Sequence, residues 1–216
     1  MTSERRRVVS AGLIALGAAL RLWQFFGRGT FWLDEAAIAR NIAARSYAGL
    51  LAPLDYAQIA PKGFLVIEKL AASTFGSSDW VFRLYGLLTA LAALPLFYAL
   101  ARRVLDERGA LLALAFFAVL GRAIYYAAEA KQYGGDIFFA CLLFLLAVRI
   151  LAYEAAPRHW LRLGILGAIA VWFSQPALFV LAGAGLALTV AVVQGKIPLR
   201  SPAIAACALW VVSGVP

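Results

Sequence analysis

Residues 8–26 read VVSAGLIALGAALRLWQFF, and Arg21 is the single charge among them. About 20 such residues of helix cross the ~30 Å hydrocarbon core of a bilayer, so the run predicts a first membrane span. A secretory leader would be shorter and would end on small residues. Arg21 and Trp23 stand there instead, so the span is read as retained. Arg5, Arg6 and Arg7 precede it, which places the N-terminus in the cytoplasm and Gly27 on the far side. Just beyond comes Phe31-Trp32-Leu33-Asp34-Glu35-Ala36-Ala37-Ile38-Ala39. Carboxylates do little to orient a span, so adjacent acids at the far membrane surface call for a role other than topology.

Composition agrees with that start. With 64% hydrophobic residues, 14% charged residues and a mean hydropathy of +0.84, the chain cannot cover itself with a polar surface, and it reads as a polytopic membrane protein. The formal charge of +9 would suit a polyanion, but the basic residues fall mainly between apolar spans, where topology accounts for them. Nucleic acid is excluded as a partner on that ground. Cys141 and Cys207 lie in apolar runs with no metal-site spacing; they read as helix-packing residues, and no disulfide is expected.

From Arg28 to Asp79 no window stays apolar long enough to cross. Ala36, Ile38, Ile42, Ala43 and Leu50, then Phe64, Ile67, Leu70 and Ala71, recur at helical spacing, which predicts two amphipathic juxtamembrane helices along the interface. Pro53-Leu54-Asp55-Tyr56 and Ala60-Pro61-Lys62-Gly63 are turns between them. Span two is expected from Trp80 to about Leu100, span three over Gly109–Ala128, span four over Tyr133–Leu151, a short fifth over Leu161–Phe173 and a sixth over Ala177–Val193. A seventh starts near Ala203 and is cut off at Pro216. The expected fold is an all-α integral membrane bundle of about seven spans, with a long extracytoplasmic first loop. Arg102, Arg103, Arg108, Arg149, Arg158 and Arg162 mark the cytoplasmic turns.

Three stretches carry a resemblance. Phe31-Trp32-Leu33-Asp34-Glu35-Ala36, Ala60-Pro61-Lys62-Gly63-Phe64-Leu65-Val66-Ile67-Glu68-Lys69, and Tyr125-Tyr126 through Glu129-Ala130-Lys131-Gln132-Tyr133 resemble, in this order, the motifs of bacterial GT-C glycosyltransferases. The similar branch is that of protein mannosyltransferases and lipid A aminoarabinose transferases. Trp172-Phe173-Ser174-Gln175-Pro176-Ala177 extends the resemblance, which covers nearly the whole chain and matches the family's N-terminal module. Lys62 stands where a second Pro is usual, Gly121-Arg122 where Ser-Pro is common, and Gln175 where His or Tyr is frequent.

The resemblance implies a multi-pass enzyme of the cell (inner) membrane that transfers a sugar from a polyprenyl-phosphate donor to an extracytoplasmic lipid, glycan or protein. Such a transfer needs a base for the acceptor proton and a cation for the departing phosphate. By motif position Asp34 is the expected general base, with Glu35 beside it as a second catalytic carboxylate. Lys131, with Arg122, Tyr133 and Lys62, is expected to cradle the donor phosphate. Glu68 is the expected contact for a divalent cation, Mg or Mn, held through oxygen.

Each of these residues also has a plain structural reading. Asp34 could cap a helix, although Ala37 leaves its capping box incomplete; Glu35 could favour a helix N-terminus electrostatically. Glu68 and Lys69 could be a solvated pair, Lys131 a surface partner of Glu129, and Arg122 a snorkelling side chain. A catalytically silent or truncated lipid-binding subunit is the rival reading of the whole chain. A small transporter fits less well, because the ionisable groups cluster at span ends and only Arg21 lies deep in one.

Overall fold

The computed structural model describes residues 2–152 and 156–198 together with Trp210. Among these, the chain is helical throughout and contains no strand. The helices are α1 (Ser3–Gly27), α2 (Leu33–Ala44), α3 (Lys62–Phe75), α4 (Leu84–Val104), α5 (Glu107–Ala118), α6 (Gly121–Tyr126), α7 (Tyr133–Leu151), α8 (Pro157–Phe173) and α9 (Ala177–Val193), with single 3-10 turns at Gly49–Leu51 and Val81–Arg83. Their ends follow local chemistry. Thr2 Oγ1 accepts from the Arg5 N–H at the start of α1, Asp106 Oδ1 accepts from the Gly109 N–H at 2.8 Å at the start of α5, and Pro157 opens α8, where a missing N–H costs nothing.

Among the described residues, three helical stretches are long and apolar enough to cross a membrane: Ser3–Gly27, Val81–Val104 and Tyr133–Leu151; Ala177–Val193 is a shorter apolar helix. The juxtamembrane pair expected between spans one and two is present as α2 and α3. The sixth expected span coincides with α9, and the seventh lies outside the described residues, as does Cys207. Cys141 is a buried free thiol.

The expected third span is corrected. Gly109–Ala128 is not one helix: α5 stops at Ala118, Leu120 is extended (φ −63°, ψ 106°), and α6 is a separate short helix. The cause lies in α1. Arg21 is 1% exposed, and its guanidinium donates to the carbonyls of Phe117 (3.3 Å) and Ala118 (3.2 Å) as well as Gly17 (2.9 Å). The last carbonyls of a helix have no partner of their own; a cation supplied from α1 satisfies those of α5 and makes the stop stable inside the bundle.

Among the described residues the buried side chains form two larger cores and two smaller clusters, around Leu94 with Phe117 and around Phe25 with Leu87. Leu143, Ile150, Leu163, Leu181 and Leu188 form the core between α7, α8 and α9. Ile38, Ile42, Leu50, Phe64, Leu65, Phe82 and Ala130 form a second core that roots α2 and α3 onto the start of α4 and the α6–α7 loop. Between them α4 and α7 meet backbone to backbone. A Cβ on Gly134 would sit 2.5 Å from the Gly86 carbonyl oxygen, and one on Gly86 would sit 3.0 Å from that of Glu129. This is the small-residue contact by which helices approach closely when lipid gives no hydrophobic drive between them.

Candidate active site

The second core ends in a polar floor where α1 finishes, α2 begins and the α6–α7 loop passes. Trp32, not Asp34, is the N-cap of α2: its N–H donates to Glu35 Oε2 at 2.9 Å, so Glu35 supplies the reach-back half of a capping box from the third helical position. Asp34 thereby falls on the second helical position and turns outward, with its side chain 56% exposed.

Glu35 does the opposite. It is fully buried; Oε1 accepts from the Ala130 N–H at 2.9 Å, Oε2 takes Arg28 Nη2 at 3.2 Å, and Arg83 Nε lies 3.6 Å from Oε1. The structure thus buries Glu35 where the sequence set it beside Asp34 as a second catalytic carboxylate: its oxygens are taken by a cap, a loop amide and two guanidiniums. Its position ties the start of α2 to the loop that carries Lys131.

Lys131 is 6% exposed, and its Nζ lies 3.2 Å from Asp34 Oδ2 and donates to Gln58 Oε1 at 2.8 Å. Its partner is Asp34 rather than Glu129. Glu129 instead pairs with Arg28 at 3.5 Å, and the same guanidinium donates to the Tyr125 hydroxyl at 3.3 Å and lies 4.4 Å above the Tyr125 ring. Burial pushes the Glu129 carboxyl up from its usual range, against the pull of Tyr125 and Arg28. Burial also works to lower the Arg28 pKa, but the Tyr125 hydrogen bond and the charges of Glu35 and Glu129 outweigh it and raise it.

Of the other expected phosphate ligands, Tyr133 lies near this cluster: its ring is 4.8 Å from that of Tyr126, among the charges of Glu129 and Asp34. Lys62 is half-buried at the first turn of α3 and lines a mainly apolar groove of about 550 Å³ with Gln58, Leu54 and Ile59. Arg122 is not brought to the site. It is exposed on α6 with no hydrogen bond or ion pair among the described residues, because the break after Ala118 reorients this stretch.

Glu68 is not the solvated partner of Lys69. It is 1% exposed with neither carboxyl oxygen paired among the described residues, and burial pushes it up to about 9. Lys69 turns away, donating to the carbonyls of Ile42 and Ala43 at the end of α2. No three His, Cys, Asp or Glu side chains converge among the described residues, and no step below runs through a metal.

Arg28, Arg83 and Gln58 escaped the reading of the sequence. Arg28 and Arg83 did leave a signal, since they lie on the far side of span one, against the tendency of basic residues to stay inside. Gln58 left none. It reaches Lys131 only because Tyr56 (φ 60°) and Ala57 (φ 52°) both adopt left-handed backbone, a strained geometry for side chains other than glycine.

A multi-pass helical bundle with a carboxylate, a lysine and an arginine gathered at one end has the makings of a membrane-embedded glycosyltransferase of the GT-C type. The comparison with known families agrees: the model of the dolichyl-phosphate-mannose-protein mannosyltransferases matches residues 60–215, and the chain belongs to that family. No curated protein matches the chain. The matched stretch holds Lys62, Glu68, Arg122, Lys131 and Tyr133, and it begins beyond Asp34 and Glu35.

Proposed function

We propose that this membrane glycosyltransferase moves a sugar from a polyprenyl-phosphate donor to a hydroxyl of an extracytoplasmic lipid, glycan or protein, with Asp34 as general base and Lys131 as the cation of the donor phosphate. The observation that carries the reading is the 3.2 Å contact between an exposed carboxylate and a buried lysine ammonium. Proton acceptor and phosphate partner thus stand side by side, on a floor that Glu35 and Arg28 hold rigid.

In the step, the acceptor oxygen attacks the anomeric carbon and forms the new C–O bond while the carbon–phosphate oxygen bond breaks in line. The acceptor proton passes to Asp34, and the polyprenyl phosphate leaves with the bonding pair. One such displacement inverts the anomeric centre. Lys131 turns from Asp34 and Gln58 toward the developing phosphate charge, which frees the Asp34 oxygen for the proton; Tyr133 at the mouth adds a hydroxyl. The arginines at the opposite end of the bundle, Arg5, Arg6, Arg7, Arg102 and Arg103, favour a cytoplasmic N-terminus and an extracytoplasmic site.

The test is transfer and donor binding measured on the same reconstituted chain. Asp34→Asn is expected to lower turnover by about 10²–10⁴-fold with donor binding retained. Lys131→Ala is expected to weaken donor binding by roughly ten- to a hundredfold, the worth of one hydrogen bond to a charged group. Turnover that survives Asp34→Asn removes Asp34 as the base, and unchanged binding by Lys131→Ala removes the phosphate contact.

A further inference from the structure

Between the last turn of α1 and the 3-10 turn before α4 lies a pocket of about 750 Å³, whose lining includes Phe25, Phe26, Arg28, Asp79, Trp80 and Arg83. Both flanking stretches, Ser3–Gly27 and Val81–Val104, are long and apolar enough to cross a membrane, so the pocket sits where two spans reach the interface. Phe26 is 79% exposed, Trp80 51% and Trp23 80%. Exposed aromatics at span ends mark the depth of the lipid headgroups. What enters here comes from the bilayer.

The polar lining is incomplete. Arg83 Nη1 donates to the Gly29 carbonyl at 2.9 Å, but Arg83 Nη2 and Arg28 Nη1 are buried without a hydrogen-bond partner among the described residues. Buried donors of charged groups are costly to leave unmatched, and two guanidiniums gathered on the one Glu35 carboxylate suit the oxygens of a phosphate. Asp79 lines the same pocket, half-buried, and makes no hydrogen bond or ion pair among the described residues. The pocket therefore offers donors for an anion and an acceptor for a cation.

We propose that it binds a membrane phospholipid whose headgroup carries both a phosphate and a primary ammonium group. The phosphate accepts from Arg28 and Arg83, the ammonium donates to Asp79, and the acyl chains run along the exposed faces of Phe26 and Trp80. A phosphoglycerol headgroup brings no cation to Asp79, and a choline headgroup has no N–H to donate to it. A bound headgroup takes the unmatched nitrogens of two arginines that hold Glu35, so it steadies the floor beneath Asp34 without touching Asp34. The inference rests on membrane embedding alone and is independent of which residue is the base.

Purified full-length chain in detergent, offered equal amounts of phosphatidylethanolamine, phosphatidylglycerol and phosphatidylcholine with matched acyl chains, is read by native mass spectrometry. Retention of the ethanolamine lipid is expected to exceed that of the other two by roughly fivefold, as one partly shielded ion pair allows. Asp79→Asn should abolish that preference, and Trp80→Ala should lower retention of all three lipids. Both positions are partly exposed, so neither variant depends on the fate of a buried arginine. Equal retention by the unaltered chain, or a preference untouched by Asp79→Asn, overturns the proposal. Displacement of bound lipid by inorganic phosphate alone assigns the pocket to free phosphate and likewise overturns it.

Discussion

Glu68 carries its acid group into a packed interior, where neither oxygen finds a partner among the described residues. Its pKa near 9 lies above the usual carboxylate value of ~4.3 that it regains on unfolding. The folded chain thus holds a proton that the unfolded chain releases between those two values. The stabilisation is fully present below the unfolded value and is lost as pH rises toward 9. The apparent melting temperature in detergent is therefore expected to fall from about pH 4.5 to pH 9, and Glu68→Gln, which mimics the protonated acid, to flatten that slope. Identical pH profiles for the two proteins would show that Glu68 is not buried as described. At this scale the sequence singled out residues but not their environments. Asp34 and Glu35 are neighbours in the chain, yet a helix turns them about 100° apart, one outward and one into the core, and only the position of the cap decides which.

At the scale of the element, helical periodicity was a dependable guide where a helix answers only to its own side chains. Both α2 and α3 form where the spacing places helices, although the buried face of α3 is Phe64, Leu65, Glu68 and Ala72, with Ile67 and Leu70 exposed, and α9 has the expected bounds. It failed where a distant residue intervenes. Gly121, where Ser-Pro is common in the similar families, is only a weak local hint of the break, because the groups that satisfy the α5 carbonyls belong to Arg21, almost a hundred residues earlier. Arg21→Met is expected to cost about 3 kcal/mol of stability, the order of losing hydrogen bonds from a buried charged donor, measured by denaturant unfolding in detergent. Arg21→Lys should recover only part of it, since one ammonium cannot reproduce the guanidinium fork. A methionine variant as stable as the parent would mean that the break holds without its cap.

For the molecule as a whole, the two ends of the bundle differ in chemistry. One carries arginines on short turns; the other gathers Asp34, Glu35, Glu129, Lys131, Arg28 and Arg83. If the proposed orientation holds, a membrane-impermeant maleimide added to intact cells will label Ser77→Cys, between α3 and α4, and spare Ser3→Cys, in a background with Cys141 and Cys207 replaced by alanine. The reverse pattern would invert the orientation and place the site in the cytoplasm.

The sequence alone determined the membrane class and the helical pair between the first two spans, because span length and helical period are local quantities. Tertiary structure decided which acid is exposed, which cation faces it and where the helix expected over Gly109–Ala128 breaks. Those outcomes depend on groups far apart in the chain, Arg28 with Glu129, Gln58 with Lys131 and Arg21 with Ala118, and no local pattern records a contact that only packing makes.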